Sequence, residues 1–393
     1  MLGDIMKSVG IIAEYNPFHN GHQYHIQQSK NLTGADAAVV LMSGHFTQRG
    51  LPAVADKWQR AKWAIQGGAD LVFELPFVYA VRSAELFAKG GISILHRLGV
   101  DFLSFGSEIG NLSPLSSTAQ ILAEEPADFR QLLIERLDAG LSFPAARQAA
   151  LQDYLGDSVP LNSPNDILAV EYLKWIYRLN SSIKPVTFQR IGTQYHDTES
   201  AGKFASANYL RTLLYQGNDI SSFVPQTITG SLPCMLTFEN LILCSLRQLK
   251  KPEIVQLCDV SEGLENRIKT AANQPDYKHV IDSIKSKRYT HTRIARILLY
   301  CLFRFPKDAP QANYVRLLAA NTTGCTLLRK MKQNSEIEII TSLNRKCTDL
   351  PAMEYDILAG DLYSLLQTDP QKRTGGKEFT TSALIFDSPL QVE

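Results

Sequence analysis

Apolar residues in the first half of the chain fall into short blocks. Those at residues 10–14, 37–42, 70–74 and 101–105 predict buried strands, with a further strand at 185–189. Between them, apolar positions recur at helical spacing and predict helices at 23–30, 55–66 and 82–98. The second of these carries Trp58, Ala61 and Ile65 along one face. Residues 112–155 read as a helical insertion of several turns. At residues 162–166, Asn-Ser-Pro-Asn-Asp predicts a helix start, with Ser163 as cap and Pro164 at the first helical position; this helix runs to about residue 178. Strands alternating with helices predict an α/β fold with a parallel sheet and right-handed crossovers. Ligands in such sheets bind beyond the carboxyl ends of the strands. Three loops fall on that edge: residues 19–22 (HNGH), 43–50 (SGHFTQRG) and 106–108 (GSE).

From about residue 213 the pattern changes. A turn-rich linker at 225–233 precedes helices at 237–249, 261–270 and 289–303, with short strands at 337–341 and 383–386. The expected division is therefore residues 6–212 and a mostly helical 213–393. No internal repeat or low-complexity tract is evident. The first strand begins directly after Met6, so Met6 is the expected start and residues 1–5 an upstream extension. No signal peptide is expected, and no apolar run approaches the roughly 18 residues of a membrane helix. The six cysteines all lie in the second half without a CxxC pair. That predicts reduced thiols and a cytoplasmic protein, with neither a disulfide frame nor a zinc site.

The net charge of +1 says nothing about partners, but the charge is uneven. Residues 278–346 hold 14 Lys or Arg against 4 Asp or Glu, a local charge of +10. Lys285, Lys287, Arg288, Arg293 and Arg296 cluster around Tyr289 and His291. Such a stripe fits contact with a nucleic-acid backbone and equally a solvated helix face.

The first turn carries the most specific chemistry. Tyr15-Asn16-Pro17 breaks the first strand, because proline lacks an N–H and restricts the residue before it. A short helical pattern starts at about Gly21, placing His19 and His22 on a strand-to-helix turn. Gly21 permits close approach to the backbone, and a helix N-terminus presents free N–H groups and positive dipole. The pair suits a phosphate chain, with imidazoles answering charge that builds on the α-phosphate. Much later, residues 204–211 (FASANYLR) predict a helix capped by Ser206 with Arg211 on its first turns.

The HxGH turn after the first strand resembles the nucleotidyltransferase superfamily. The longer string EYNPFHNGHQYH resembles, more narrowly, the bacterial tRNA(Met) cytidine acetate ligases, over nearly the whole chain. The resemblance implies a Rossmann-like, HUP-type catalytic domain followed by a basic tRNA-binding domain. It implies an ATP-dependent ligase that activates acetate to acetyl-adenylate and acetylates N4 of the wobble cytidine of elongator tRNA(Met). ATP would arrive with Mg2+, and no protein metal cage is expected. Residues 204–211 resemble the second superfamily signature, ISSTxIR; Ser206 and Arg211 match it, while Asn208 stands where Thr is usual, so that hydroxyl contact is not carried over.

Carried residue by residue, the ATP contacts would be Ile12, Ala13, Glu14, Tyr15, Asn16, Pro17, Phe18, His19, Asn20, Gly21, His22, Gln23, Tyr24, His25, Gly106, Asn165, Arg190, Ser206 and Arg211, with His19 and His22 catalytic. On the residues alone, Gly106 is equally a turn glycine, Asn165 part of a helix cap and Arg190 a surface arginine. His45, Gln48 and Arg49 are candidates by loop position only; the family more often has Asn at 45, and His45 is not claimed. Lys285, Lys287, Arg288, Tyr289 and Arg293 are the expected tRNA contacts, Tyr289 as a stacking platform for a splayed base. The acetate pocket and the oligomeric state are not legible. Two other readings share these features: a small-molecule nucleotidyltransferase making a nucleotide cofactor, and a non-catalytic RNA-binding scaffold. The second has no need of paired imidazoles on a phosphate site.

Overall fold

In the computed structural model the described residues are 6–156, 159–161, 163–190, 202–228, 230–261, 263–286 and 289–387. Five parallel strands follow the expected order: β1 (Ser8–Ala13), β2 (Ala37–Ser43), β3 (Leu71–Leu75), β4 (Phe102–Ser107) and β5 (Lys184–Gln189). β2 is buried along its whole length, which explains its unbroken apolar run. Helix α1 (Asn20–Thr33) follows β1, and α2 (Lys57–Gln66) follows β2. The helix Pro164–Arg178 starts as its sequence dictates: the Ser163 side chain accepts from the Asp166 N–H, and Pro164 occupies the first turn.

The sheet does not end with the first 212 residues. Three later strands, β6 (Tyr314–Asn321), β7 (Glu338–Ile340) and β8 (Leu384–Phe386), extend it in the order β5-β4-β1-β2-β3-β6-β7. β6 runs antiparallel to β3, while β7 and β8 pair in parallel with the two halves of its far edge. The short strands expected near 337–341 and 383–386 are present; β6, the strand that joins them to the sheet, was not expected.

Buried charge locks this junction. Lys57 of α2 donates to both carboxylate oxygens of Glu74 on β3, at 2.8 and 2.7 Å, and to Glu378 at 2.7 Å. Arg316 of β6 pairs with the same Glu378 carboxylate and donates to its carbonyl at 2.8 Å. All four side chains are essentially inaccessible, and buried charges persist only when paired in this way.

The helical region of the second half packs on the loops that leave β2 and β3. Phe46 and Phe77 join Phe238, Phe303 and Phe305 in one apolar cluster. Tyr300 donates to the Val81 carbonyl at 2.7 Å, and Tyr363 to the Ala53 carbonyl at 2.9 Å. The helical region is thereby seated against the carboxyl edge of the parallel strands.

Candidate active site

The turn after β1 builds the site. Tyr15 has a left-handed backbone, φ 48°, and the Asn16–Pro17 peptide is cis. The turn is anchored at many points. The Glu14 carbonyl accepts from Arg60 Nη1 at 2.6 Å, and Arg60 also donates to the carbonyls of Ala55 and Gly44. Glu14 Oε1 accepts from the Gln48 N–H at 2.8 Å. Asn16 Oδ1 accepts from the Val54 N–H at 2.8 Å, and the Phe18 carbonyl from Gln226 Nε2 at 3.0 Å. The Phe18 ring fills the space above Gly67, where a Cβ would lie 2.2 Å from it.

His19 is the N-cap of α1. Its Nδ1 accepts from the Gly21 N–H at 3.1 Å, and His22 Nδ1 accepts from the His19 N–H at 3.3 Å, a reciprocal capping box made of two histidines. The rings stack with centroids 3.7 Å apart and an interplanar angle of 26°, and the Tyr15 ring lies 4.8 Å from that of His22. Burial, with Arg190 and Arg211 nearby, lowers the His19 pKa to about 3; burial and the neighbouring His19 hold His22 well below the usual histidine value. Both imidazoles are therefore neutral at pH 7. With both Nδ1 atoms accepting from the backbone, each ring carries its proton on Nε2. The turn presents two N–H donors beside the helix N-terminus.

An open cleft lies over this pair. It is lined by His19, Gly21, His22, Tyr24, His25, Gly106, Arg190 and Ser206, and by three residues the sequence did not single out, Phe188, Phe204 and Ala205. Those three flank Arg190 and the Ser206 cap, so their proximity to predicted residues was the available signal. Tyr24 meets Phe188 and Phe204 edge-on, and His25 meets Phe188 at 5.0 Å. Burial lowers the His25 pKa to about 4. Gly106 admits the Arg190 side chain: a Cβ there would stand 2.9 Å from Arg190 Cγ. Aromatic rings beside convergent imidazole and guanidinium groups suit a nucleotide.

The other predicted residues divide into neighbours and supports. Arg211, on the helix Ala207–Tyr215, donates to the Asn16 carbonyl at 2.8 Å and to Asn208 Oδ1 at 3.2 Å, reaching the histidine turn itself. Ser206 caps that helix by accepting from the Tyr209 N–H. Asn20 donates to the carbonyls of Lys203 and Ser222, at 2.9 and 3.1 Å, and so ties this helix region to α1. Asn165 donates to Glu108 at 2.6 Å, and Glu108 also accepts from Ser163 at 2.6 Å, fixing the helix start to the end of β4. Ile12 and Ala13 close β1, and the Ile12 side chain occupies the space above Gly91. Pro17 is buried and Gln23 half-buried on the first turn of α1.

The 43–50 loop behaves differently from its expected role. It leaves the same sheet edge but turns toward the helical region. Phe46 enters the apolar cluster there, and Gly50, φ 75°, abuts the backbone of Ala295 and Arg296, where a Cβ would stand 2.7 Å from their atoms. His45 is buried with Nδ1 3.7 Å from Glu378 Oε1 and is held neutral by burial and the neighbouring Lys57. The end of the loop keeps contact with the site: the Gln48 N–H reaches Glu14, and Arg49 donates to Asn208 at 3.3 Å.

Of the expected tRNA contacts, Lys287 and Arg288 lie outside the described residues. Lys285 is exposed. Tyr289 is only 5% exposed and shares a 2.9 Å hydrogen bond with Ser261, so its ring offers no face to a base. Arg293 lies over that ring, 5.1 Å from its centroid, and donates to the Asp259 carbonyl at 2.9 Å. The platform role expected of Tyr289 fails because the apolar cluster takes its ring in.

The profile of the HIGH Nucleotidyl Transferase family matches residues 6–378. The tRNA(Met) cytidine acetate ligase of Acetivibrio thermocellus is 40% identical over 97% of this chain and 100% of its own, and that of Halothermothrix orenii 41% identical over 95% and 98%. The apo crystal structure of Thermotoga maritima TmcAL superimposes with a TM-score of 0.92 at 31% identity, over 98% of this chain and all of that one. A second Thermotoga maritima TmcAL structure, bound with alpha-thio ATP, gives 0.90 at 29% identity, over 98% of this chain and all of that one. By its sequence, its fold and the HxGH turn at its cleft, the chain belongs to the tRNA(Met) cytidine acetate ligase family of HIGH nucleotidyl transferases.

Proposed function

We propose that this chain is an ATP-dependent tRNA(Met) cytidine acetate ligase. The observation that carries the reading is the stacked, neutral His19–His22 pair at the N-terminus of α1, facing the cleft. A triphosphate laid there meets two imidazole N–H donors, the helix N-terminus, Arg190 and Arg211. Mg2+ would travel with the triphosphate; among the described residues no group of three or more His, Cys, Asp or Glu is arranged to hold an ion.

In the first step an acetate oxygen attacks the α-phosphorus, the bond to the bridging oxygen breaks, and pyrophosphate leaves. Charge builds on the α-phosphoryl oxygens, where fixed donors stabilise it without reorganising. No protein nucleophile is required; the site needs positioning and positive field. In the second step the N4 amine of the wobble cytidine attacks the acetyl carbon. The C–O bond to AMP breaks, AMP leaves, and the amine loses a proton. That amine is accessible only where the base is unpaired, as in an anticodon loop.

We also propose that residues 6–212 carry adenylation and that residues 213–393 bind tRNA. The contact of Gly50 with Ala295 and Arg296 supports this arrangement, since the helix His291–Phe303 brings part of the basic segment to the loop beside the cleft. The test is acetate-dependent exchange of labelled pyrophosphate into ATP, followed by transfer of labelled acetate to tRNA(Met). Exchange without transfer to any RNA would replace this reading with a small-molecule nucleotidyltransferase. RNA binding without exchange would leave only a scaffold.

A further inference from the structure

With Tyr289 buried, the base that must be splayed toward the reactive acetyl group needs another stacking partner. Among the described residues, the large exposed aromatics are Phe143, Tyr154, Tyr177, Tyr215 and Phe379. Phe143 and Tyr154 belong to the helical insertion, and Tyr177 is at the far end of the helix Pro164–Arg178. Phe379 follows Glu378, whose carboxylate is held in the ion cluster. Tyr215 alone lies on a helix whose cap lines the cleft.

The helix Ala207–Tyr215 is two-faced. Leu210 is buried, and Leu213 and Leu214 pack with it against Ile220 and Val224. The other face carries Asn208, Arg211 and Tyr215, at spacings of three and four residues that align them. Asn208 receives Arg49, and Arg211 reaches the Asn16 carbonyl of the histidine turn. Tyr215 continues this row one turn on, about 6 Å along the axis, and is 43% exposed. It lies within electrostatic reach of Arg211 and of Cys234, at the start of the helical region. The ring thus stands one turn beyond Arg211 on the exposed face of a helix that starts at the cleft.

We propose that Tyr215 is the platform on which the target cytosine stacks during acetyl transfer. This rests on the tRNA acetylation reading above and assigns its base-binding subsite. Stacking on an aromatic face is worth a factor of roughly 5 to 150 per base, and it needs the ring but not the hydroxyl.

The test uses the full chain with Tyr215→Ala and Tyr215→Phe. Tyr215→Ala is expected to lower kcat/KM for tRNA in acetyl transfer by about 10- to 100-fold, with acetate-dependent pyrophosphate exchange unchanged. Tyr215→Phe is expected to retain transfer. An anticodon stem-loop carrying pyrrolocytosine at the wobble position supplies a second readout: its fluorescence is expected to be quenched on binding the wild type and Tyr215→Phe, and not on binding Tyr215→Ala. Wild-type transfer by Tyr215→Ala, equal loss in Tyr215→Phe, or quenching that survives the alanine change would each overturn the assignment. Absence of exchange in the wild type would instead overturn the underlying function.

Discussion

The imidazoles of His19 and His22 lie face to face, 3.7 Å between centroids, and each gives its Nδ1 to a backbone N–H of the same turn. The helix cap and the phosphate site are therefore built from the same two side chains. His22→Ala removes one Nε2 donor and opens the His19 N–H. Loss of one donor aimed at developing charge lowers turnover by about 10²–10³-fold. Pyrophosphate exchange is expected to fall by that factor or more, while tRNA affinity stays within about threefold. Equal loss of both would mean that adenylation and RNA binding are not separated along the chain.

Gly21 stands under the same pair. A Cβ at this position would lie 2.9 Å from His19 Cε1 and 3.0 Å from its Nδ1. Alanine is a better helix former than glycine by about 1 kcal/mol, so Gly21→Ala should leave the melting temperature almost unchanged or slightly raised. The displaced imidazole should nonetheless lower exchange at least tenfold. A variant with full activity would show that His19 can move without consequence.

How much of this was legible follows from where each signal resides. Strands β1 to β4 are largely enclosed on both faces, and their short apolar runs announced them. β6 was missed because Arg316 interrupts its run, and the partner that makes a buried arginine tolerable, Glu378, is 62 residues further on. The histidine turn was readable because its chemistry is local: cap, glycine and both rings fall within four residues. The fate of the 43–50 loop was not, since Phe46 is drawn away by Phe77, Phe238 and Phe303, none of them near it in sequence. Tyr289 failed as a platform for the same reason: exposure is decided by tertiary packing that a basic neighbourhood does not reveal.

The depressed histidines make stability depend on pH in a defined window. His19 falls to about 3 and His25 to about 4, both chiefly through burial. Their unfolded value is about 6.5. Between the folded and unfolded values the unfolded chain binds more protons, so stability rises with pH across this range and levels off above about 6.5. On acidification it is lost from pH 6.5 downward, by a few kcal/mol from these rings. Melting temperatures measured from pH 7.5 to 4.5 should fall less steeply for His19→Asn, which keeps a capping acceptor without the titrating ring. Parallel profiles for the two proteins would show that the buried imidazole is not the source.

Lys57 joins the two halves through Glu74 and Glu378, two residues 304 positions apart. Removing one member of a buried ion network costs about 3–5 kcal/mol, because the remaining charges lose their compensation. Lys57→Met should lower unfolding stability by that amount in urea melts. Adding Glu378→Gln, which removes one of the stranded carboxylates, should cost less than the sum of the two single changes. Strict additivity would mean that the two side chains do not interact.

The basic segment makes the last prediction. Lys285, Lys287 and Arg288 belong to a stretch of charge +10, and they precede in sequence the helix whose Ala295–Arg296 backbone meets Gly50. If these cations neutralise phosphates, each releases a counterion, and the logarithm of affinity falls with the logarithm of salt by about 0.7–0.9 per contact. Changing all three to serine should flatten the salt slope by about 2 to 3, weaken tRNA(Met) and unrelated tRNA alike, and leave pyrophosphate exchange untouched. A uniform loss is expected because backbone contacts position an RNA without reading its sequence. An unchanged slope would move the RNA surface off this segment, and a loss confined to tRNA(Met) would make these residues readers of the anticodon loop.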